Sequence, residues 1–209
     1  MASTVASRQT ASQRVGAERR SAAILIARLR NFTRLSDMLD AQTVLHLVGE
    51  FFSLVARIAR ANGGQVIATH NDSLMAVFPA GAPALQAQQA VRAGQEIQVG
   101  FAAFAESWES GYGLHTAVAL GAHVGETVFG YAGPEGEERF VAFGHTLTIA
   151  ARLVHRARKG EFVMSDAVIA ALAGSNFDLD AKPLPPLELP RRSPIRLYGV
   201  LLDTRLDFT

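Results

Sequence analysis

The apolar positions change period along the chain, and each period predicts an element. Ala22 to Leu29 is a short apolar run suited to a buried strand, and Asn31-Phe32-Thr33 followed by Ser36-Asp37 supplies turn and N-cap chemistry. From Thr43 to Ala61 the residues Val44, Leu47, Val48, Phe51, Phe52, Val55 and Ile58 recur at helical spacing, and Asn62-Gly63-Gly64 closes the helix. That stripe reads as core. Gln65 to Thr69 and Leu74 to Phe78 read as strands joined across His70-Asn71-Asp72-Ser73, where Asn-Asp favours a tight hairpin. A second helix is predicted from Pro83 to Trp108. Strands follow over Leu114–Leu120, Thr127–Phe129 and Phe140–Phe143, then a helix from Thr146 to Arg158 ended by Lys159-Gly160. The last segment predicts a strand at Glu161–Met164, a short helix at Asp166–Leu172, Pro-rich turns from Pro183 to Pro190 and a strand at Ile195–Leu201.

Composition narrows what such a chain does. Its 209 residues, 49% hydrophobic and 19% charged, suit one ordinary domain with a sizeable core. A formal charge of +1 argues against a nucleic-acid surface. The absence of Cys excludes disulfides, thiolate metal sites and a Cys nucleophile, and suits the cytoplasm. Arg8, Arg14, Arg19 and Arg20 stand among Ser, Thr, Ala and Gln, with no apolar run for a signal peptide or membrane span. Residues 1–20 are therefore expected to be a flexible basic arm, and 21–209 a single domain.

Four blocks in order resemble the class III adenylate and guanylate cyclase catalytic domain. Ala27-Arg28-Leu29-Arg30-Asn31-Phe32-Thr33 resembles the family's F-A-D-I-R-G-F-T, and His70 to Phe78 resembles I-G-D-A-L-M-A-V-F. Gly121 to Gly133 resembles G-I-H-T-G-E-V-V-V-G-N-I-G, and Phe140 to Leu153 resembles Y-T-V-I-G-D-A-V-N-L-A-A-R-L. Together they reach across nearly everything from residue 22 to 200. The resemblance implies an α+β fold, a ferredoxin-like sandwich with a mainly antiparallel sheet flanked by helices. It also implies head-to-tail dimers whose nucleotide sites draw on both chains. In such enzymes two Asp residues hold two divalent ions, while the other chain supplies base-reading, ribose-positioning and transition-state groups.

Carried over residue by residue, most of that set is replaced. The first metal Asp falls on Arg28, a fixed cation that would repel the ions, and the second is kept as Asp72. The base-reading Lys falls on Ala68 and its Asp or Thr partner on Val141, neither of which offers a side-chain hydrogen bond. The ribose Asn becomes Thr148, and the transition-state Arg is kept as Arg152. Arg28 and Asp72, on neighbouring strands, are expected to form an ion pair where metal would otherwise sit. Arg152 has a second reading, packing over apolar surface or pairing with Glu161 or Asp166. His70-x-Asp72 with His123 and His145 is a competing zinc or manganese constellation, but its spacing matches no dedicated metal signature.

Three functions follow from these residues. The first is a catalytically silent cyclase-homology domain in a signalling context, acting as a homodimer or heterodimer, with a nucleotide or other ligand in the interfacial cleft and no cofactor. The second is an active adenylate or guanylate cyclase using Mg or Mn at a divergent or partner-completed site to form cyclic nucleotide and pyrophosphate. The third is a ferredoxin-like binding module without nucleotide chemistry. Diguanylate cyclase domains share a related fold, but their Gly-Gly-Asp/Glu-Glu-Phe hairpin is absent from Asn71-Asp72-Ser73-Leu74.

Overall fold

The computed structural model describes residues 17–175, 177 and 179–201. In chain order its elements are β1 (Glu18–Leu29), α1 (Phe32–Met38), α2 (Ala41–Ala61), β2 (Gln65–His70), β3 (Ser73–Phe78), α3 (Pro83–Tyr112), β4 (Val118–Ala132), β5 (Arg139–Phe143), α4 (His145–Arg156), β6 (Glu161–Ser165), α5 (Asp166–Leu172), β7 (Lys182–Leu189) and β8 (Arg192–Leu201). The strands form one sheet in the order β2-β3-β1-β4-β6-β8-β7, with β5 added to β4. Every pairing is antiparallel except β4 with β6.

Alternation along β1 shows why its sequence is so uniformly apolar. Ala23, Leu25, Ala27 and Leu29 enter the core shared with α2, α3 and α5, while Ala22, Ile24 and Ile26 enter a second core beneath α4. A strand covered on both faces has no side that favours polar residues. On the first face Phe51, Phe101 and Trp108 meet edge to face, with ring centroids 5.7 and 5.6 Å apart in successive pairs. On the second face α4 rests directly on β4 at Gly121. A Cβ there would collide with the backbone nitrogen of Val154.

Several expectations are corrected by the sheet. Glu18, Arg19 and Arg20 pair with Phe129, Val128 and Thr127, so the end of the expected arm is strand; residues 1–16 lie outside the described set. Arg20 stays there because its guanidinium lies 4.9 Å from the centroid of the Phe129 ring. The strands expected at Leu114–Leu120 and Thr127–Phe129 merge into one continuous β4 that begins only at Val118, because Gly121 and Gly125 are spanned by ladder pairing with Ile26 and Ala22. Pro183–Pro190, expected as turns, mostly belongs to β7, an edge strand whose missing proline N–H groups are tolerated through register shifts against β8. Ser36 and Asp37 lie inside α1, and the cap of α2 is Asp40, whose Oδ1 accepts from the backbone N–H of Gln42 and Thr43 at 3.0 Å. Among the described residues, no helix is long and apolar enough to cross a membrane.

Candidate functional site

The end of β1 and the β2–β3 turn are tied together by backbone before any side chain acts. Leu29 N–H donates to the carbonyl of Asp72 at 2.8 Å, and Arg28 stands opposite Ser73 in the β1–β3 ladder. Asn71 adopts φ 44°, a left-handed turn conformation that Asn tolerates. This geometry delivers the Asp72 carboxylate to Arg28, whose Nε donates to Oδ2 at 2.7 Å. The expected ion pair is present, and it is partly shielded, with side-chain exposures of 29% for Arg28 and 14% for Asp72.

A third side chain completes the cluster. Arg28 Nη1 lies 2.6 Å from Nδ1 of His155. Guanidinium groups only donate, so Nδ1 must accept and the imidazole carries its proton on Nε2. Sequence reasoning missed His155, which lies 127 positions away from Arg28. Its one available signal was helical spacing, three residues beyond Arg152.

Helix α4 presents the remaining candidates. Its buried face is Thr146, Ala150, Leu153 and Val154, which leaves Thr148, Arg152 and His155 on an outward stripe at i, i+4 and i+7. The helix start is fixed by Gly144 at φ 138° and by Thr146 Oγ1, which donates to the Glu126 carbonyl at 2.6 Å. Arg152 is exposed and has no hydrogen bond or ion pair to a described residue. The partners considered for it are engaged elsewhere: Glu161 with Arg158 at 3.1 Å and Asp166 with Arg196 at 3.5 Å. Ala68 is exposed on β2, and Val141 is half-buried on β5, a strand that β2 approaches.

The histidines do not converge on Asp72. His70 is exposed beside the turn, while His145 Nε2 accepts from Arg192 at 2.8 Å. His123 is buried with Nδ1 2.6 Å from Ser165 Oγ. Burial pushes its pKa down to about 4, against a smaller upward pull from Asp166. Among the described residues, no three His, Asp or Glu side chains gather as a metal site requires. Within one chain these groups do not fit two divalent ions: the Asp72 carboxylate is already paired with a guanidinium that can only donate.

Concavity and chemistry are separated by the sheet. A hollow of about 620 Å³ lies between α2 and α3, lined by residues including His46, Glu50, Arg57 and Phe104. It is on the face opposite α4 and therefore does not include the cluster around Arg28.

Comparison with known proteins gives a consistent picture. The family model described as "Adenylate and Guanylate cyclase catalytic domain" matches residues 16–200. Adenylate cyclase 1 of Rhizobium meliloti (strain 1021) is 27% identical over 124 residues, which are 59% of this chain but only 19% of that protein. The solved adenylyl cyclase CyaB from P. aeruginosa superposes with a TM-score of 0.83 at 19% identity, covering 92% of this chain and 99% of its own. The non-canonical dimeric guanylyl cyclase domain of the RhoGC fusion protein from the aquatic fungus Blastocladiella emersonii gives a TM-score of 0.74 at 18% identity, covering 88% of this chain and 98% of its own. At these identities the structural likenesses establish the fold.

Proposed function

This chain belongs to the adenylate and guanylate cyclase catalytic domain family, and on that premise we propose that it is a catalytically silent class III cyclase-homology domain. It acts by pairing with another cyclase-type domain, as a homodimer or heterodimer, and holds a nucleotide or similar ligand in the cleft between them. The observation that carries this reading is the 2.7 Å contact between Arg28 Nε and Asp72 Oδ2. A guanidinium occupies the position where the family places a metal carboxylate, so charge repulsion opposes the ion that would activate a ribose hydroxyl. Ala68 and Val141 add to it, because neither side chain can read a base.

Pairing is supported by what the surface exposes. Tyr131 and Phe143, on the β4–β5 hairpin, are 57% and 61% exposed, large for aromatic side chains without a partner surface. Thr148 and Arg152 face outward on α4, away from their own core, which leaves them free to meet a second chain. The test combines sedimentation velocity with incubation of the pure protein, ATP or GTP, and Mn²⁺. A dimer that releases no pyrophosphate is expected; pyrophosphate release abolished by Asp72→Ala overturns the silent reading.

A second reading is favoured by one feature, an exposed Arg152 with no partner among the described residues. In it the chain is half of an active cyclase whose missing carboxylate and base-reading groups come from a different chain. Cyclic nucleotide formed only on mixing with such a chain, and lost with Arg152→Ala, supports it.

A further inference from the structure

We propose that a hollow where the start of α2 meets the end of α3 binds a small organic cation, an alkylammonium or alkylguanidinium, held by Glu50 beside aromatic side chains of α3. It lies on the face of the sheet opposite α4, apart from the Arg28 cluster, so it does not depend on the silent-domain reading.

The aromatic wall comes from one helix face. Phe104, Trp108 and Tyr112 recur at i, i+4 and i+8 on α3, so their side chains follow one another in successive turns. Such a stripe ordinarily marks core, and Trp108 is indeed 2% exposed, its ring centroid 6.4 Å from that of Phe104. Here the stripe does not stay covered. Tyr112 is 40% exposed, Phe104 is half-buried, and all three line a hollow of about 320 Å³ that shares His46, Glu50 and Phe104 with the larger one. That volume falls at the small end of the range for ligand pockets, which suits a molecule of few heavy atoms.

Glu50 supplies the charge. From α2 its Oε2 accepts a long hydrogen bond, 3.4 Å, from the indole N–H of Trp108. Its Oε1 is 3.8 Å from Nε2 of His46, outside hydrogen-bond reach. Among the described residues no Lys or Arg pairs with Glu50. Arg57, the next cation along α2, lines only the larger hollow and stands two turns on, about 10.5 Å along the axis. A carboxylate oriented by an indole N–H, with its other oxygen open to a donor, favours a donor that carries positive charge. The aromatic neighbours add attraction for a cation and cover its apolar body. An alcohol lacks the charge, and a carboxylate ligand is repelled by Glu50.

Trp108 is the only tryptophan in the sequence, so its fluorescence reports from the site itself. Titration of the full chain with n-butylammonium and n-butylguanidinium tests the assignment, with n-butanol and butyrate as controls at constant ionic strength. Expected is a saturable change with each cation and none with either control. Glu50→Gln keeps an acceptor for the indole N–H but removes the charge, and should weaken both cations about tenfold or more. Tyr112→Leu, at an exposed position that does not threaten folding, keeps apolar bulk and should weaken them about two- to fivefold. No saturable change, butanol binding as tightly as the cations, or affinity unchanged in either variant overturns the proposal. A capped short peptide with a central arginine that binds more tightly than butylguanidinium assigns the hollow to a partner protein and overturns the small-ligand assignment. Dimerisation and pyrophosphate release are read separately, so failure here leaves the silent-domain reading standing.

Discussion

Arg28 at the end of β1 and Asp72 in the β2–β3 turn form a charge pair, 2.7 Å from Nε to Oδ2. Partial shielding sets its energetic weight between an exposed pair and a fully buried one. Arg28→Ala should destabilise the domain by about 1–3 kcal/mol in urea unfolding. Asp72→Ala added to it should cost less than the sum of the singles, because the carboxylate left unpaired by the first change is then gone. Strict additivity would show that the two groups do not stabilise one another.

Arg28→Asp reverses the charge and sets two carboxylates next to each other. Mn²⁺ should raise the melting temperature of that variant and leave the parent unchanged. Equal thermal shifts in both proteins would mean that Arg28 does not govern ion binding here.

His123 gives the domain an acid-side liability. Its pKa is about 4 in the fold because burial disfavours the imidazolium, against about 6.5 in the unfolded chain. A depressed value means the unfolded chain takes up the proton first, so the stability contribution is complete above about pH 6.5 and falls as pH drops toward 4. The full loss is on the order of 3 kcal/mol. Urea unfolding from pH 7 to 4.5 should show a decline that His123→Gln flattens; parallel curves for both proteins would refute the assignment.

Gly121 fixes the seat of α4 on the sheet. Its substitution by Ala forces a methyl group against the Val154 backbone and should cost about 2–3 kcal/mol. Gly111, where an added Cβ meets nothing within 4 Å, is the comparison site: Gly111→Ala should be neutral or stabilising in a thermal melt.

Phe143→Asp places a charge on an exposed aromatic position of the β4–β5 hairpin. Sedimentation should shift from dimer toward monomer, with the melting temperature little changed. A dimer unaffected by this change locates the contact elsewhere.

The order of elements was legible because hydrophobic period is a local property. The α2 stripe and the β2–β3 turn were both read from adjacent residues, and the Arg28–Asp72 pair followed from placing two resembling blocks on neighbouring strands. Long β4 was read as two pieces because its glycines look like breaks until β1 supplies ladder partners for them. Likewise, β7 looked like turns because proline spacing says nothing about an edge strand paired on one side. His155 stayed hidden for a different reason. Its contact with Arg28 depends on how far along the sheet α4 sits, which the close approach at Gly121 decides and no linear pattern encodes.

The guanidinium beside Asp72 is a counter-charge carried on the polypeptide itself. Unlike a dissolved ion, it cannot be diluted, chelated or exchanged for another metal, so the neutralisation of that acid is set when the chain is synthesised and does not follow the cell's magnesium or manganese supply.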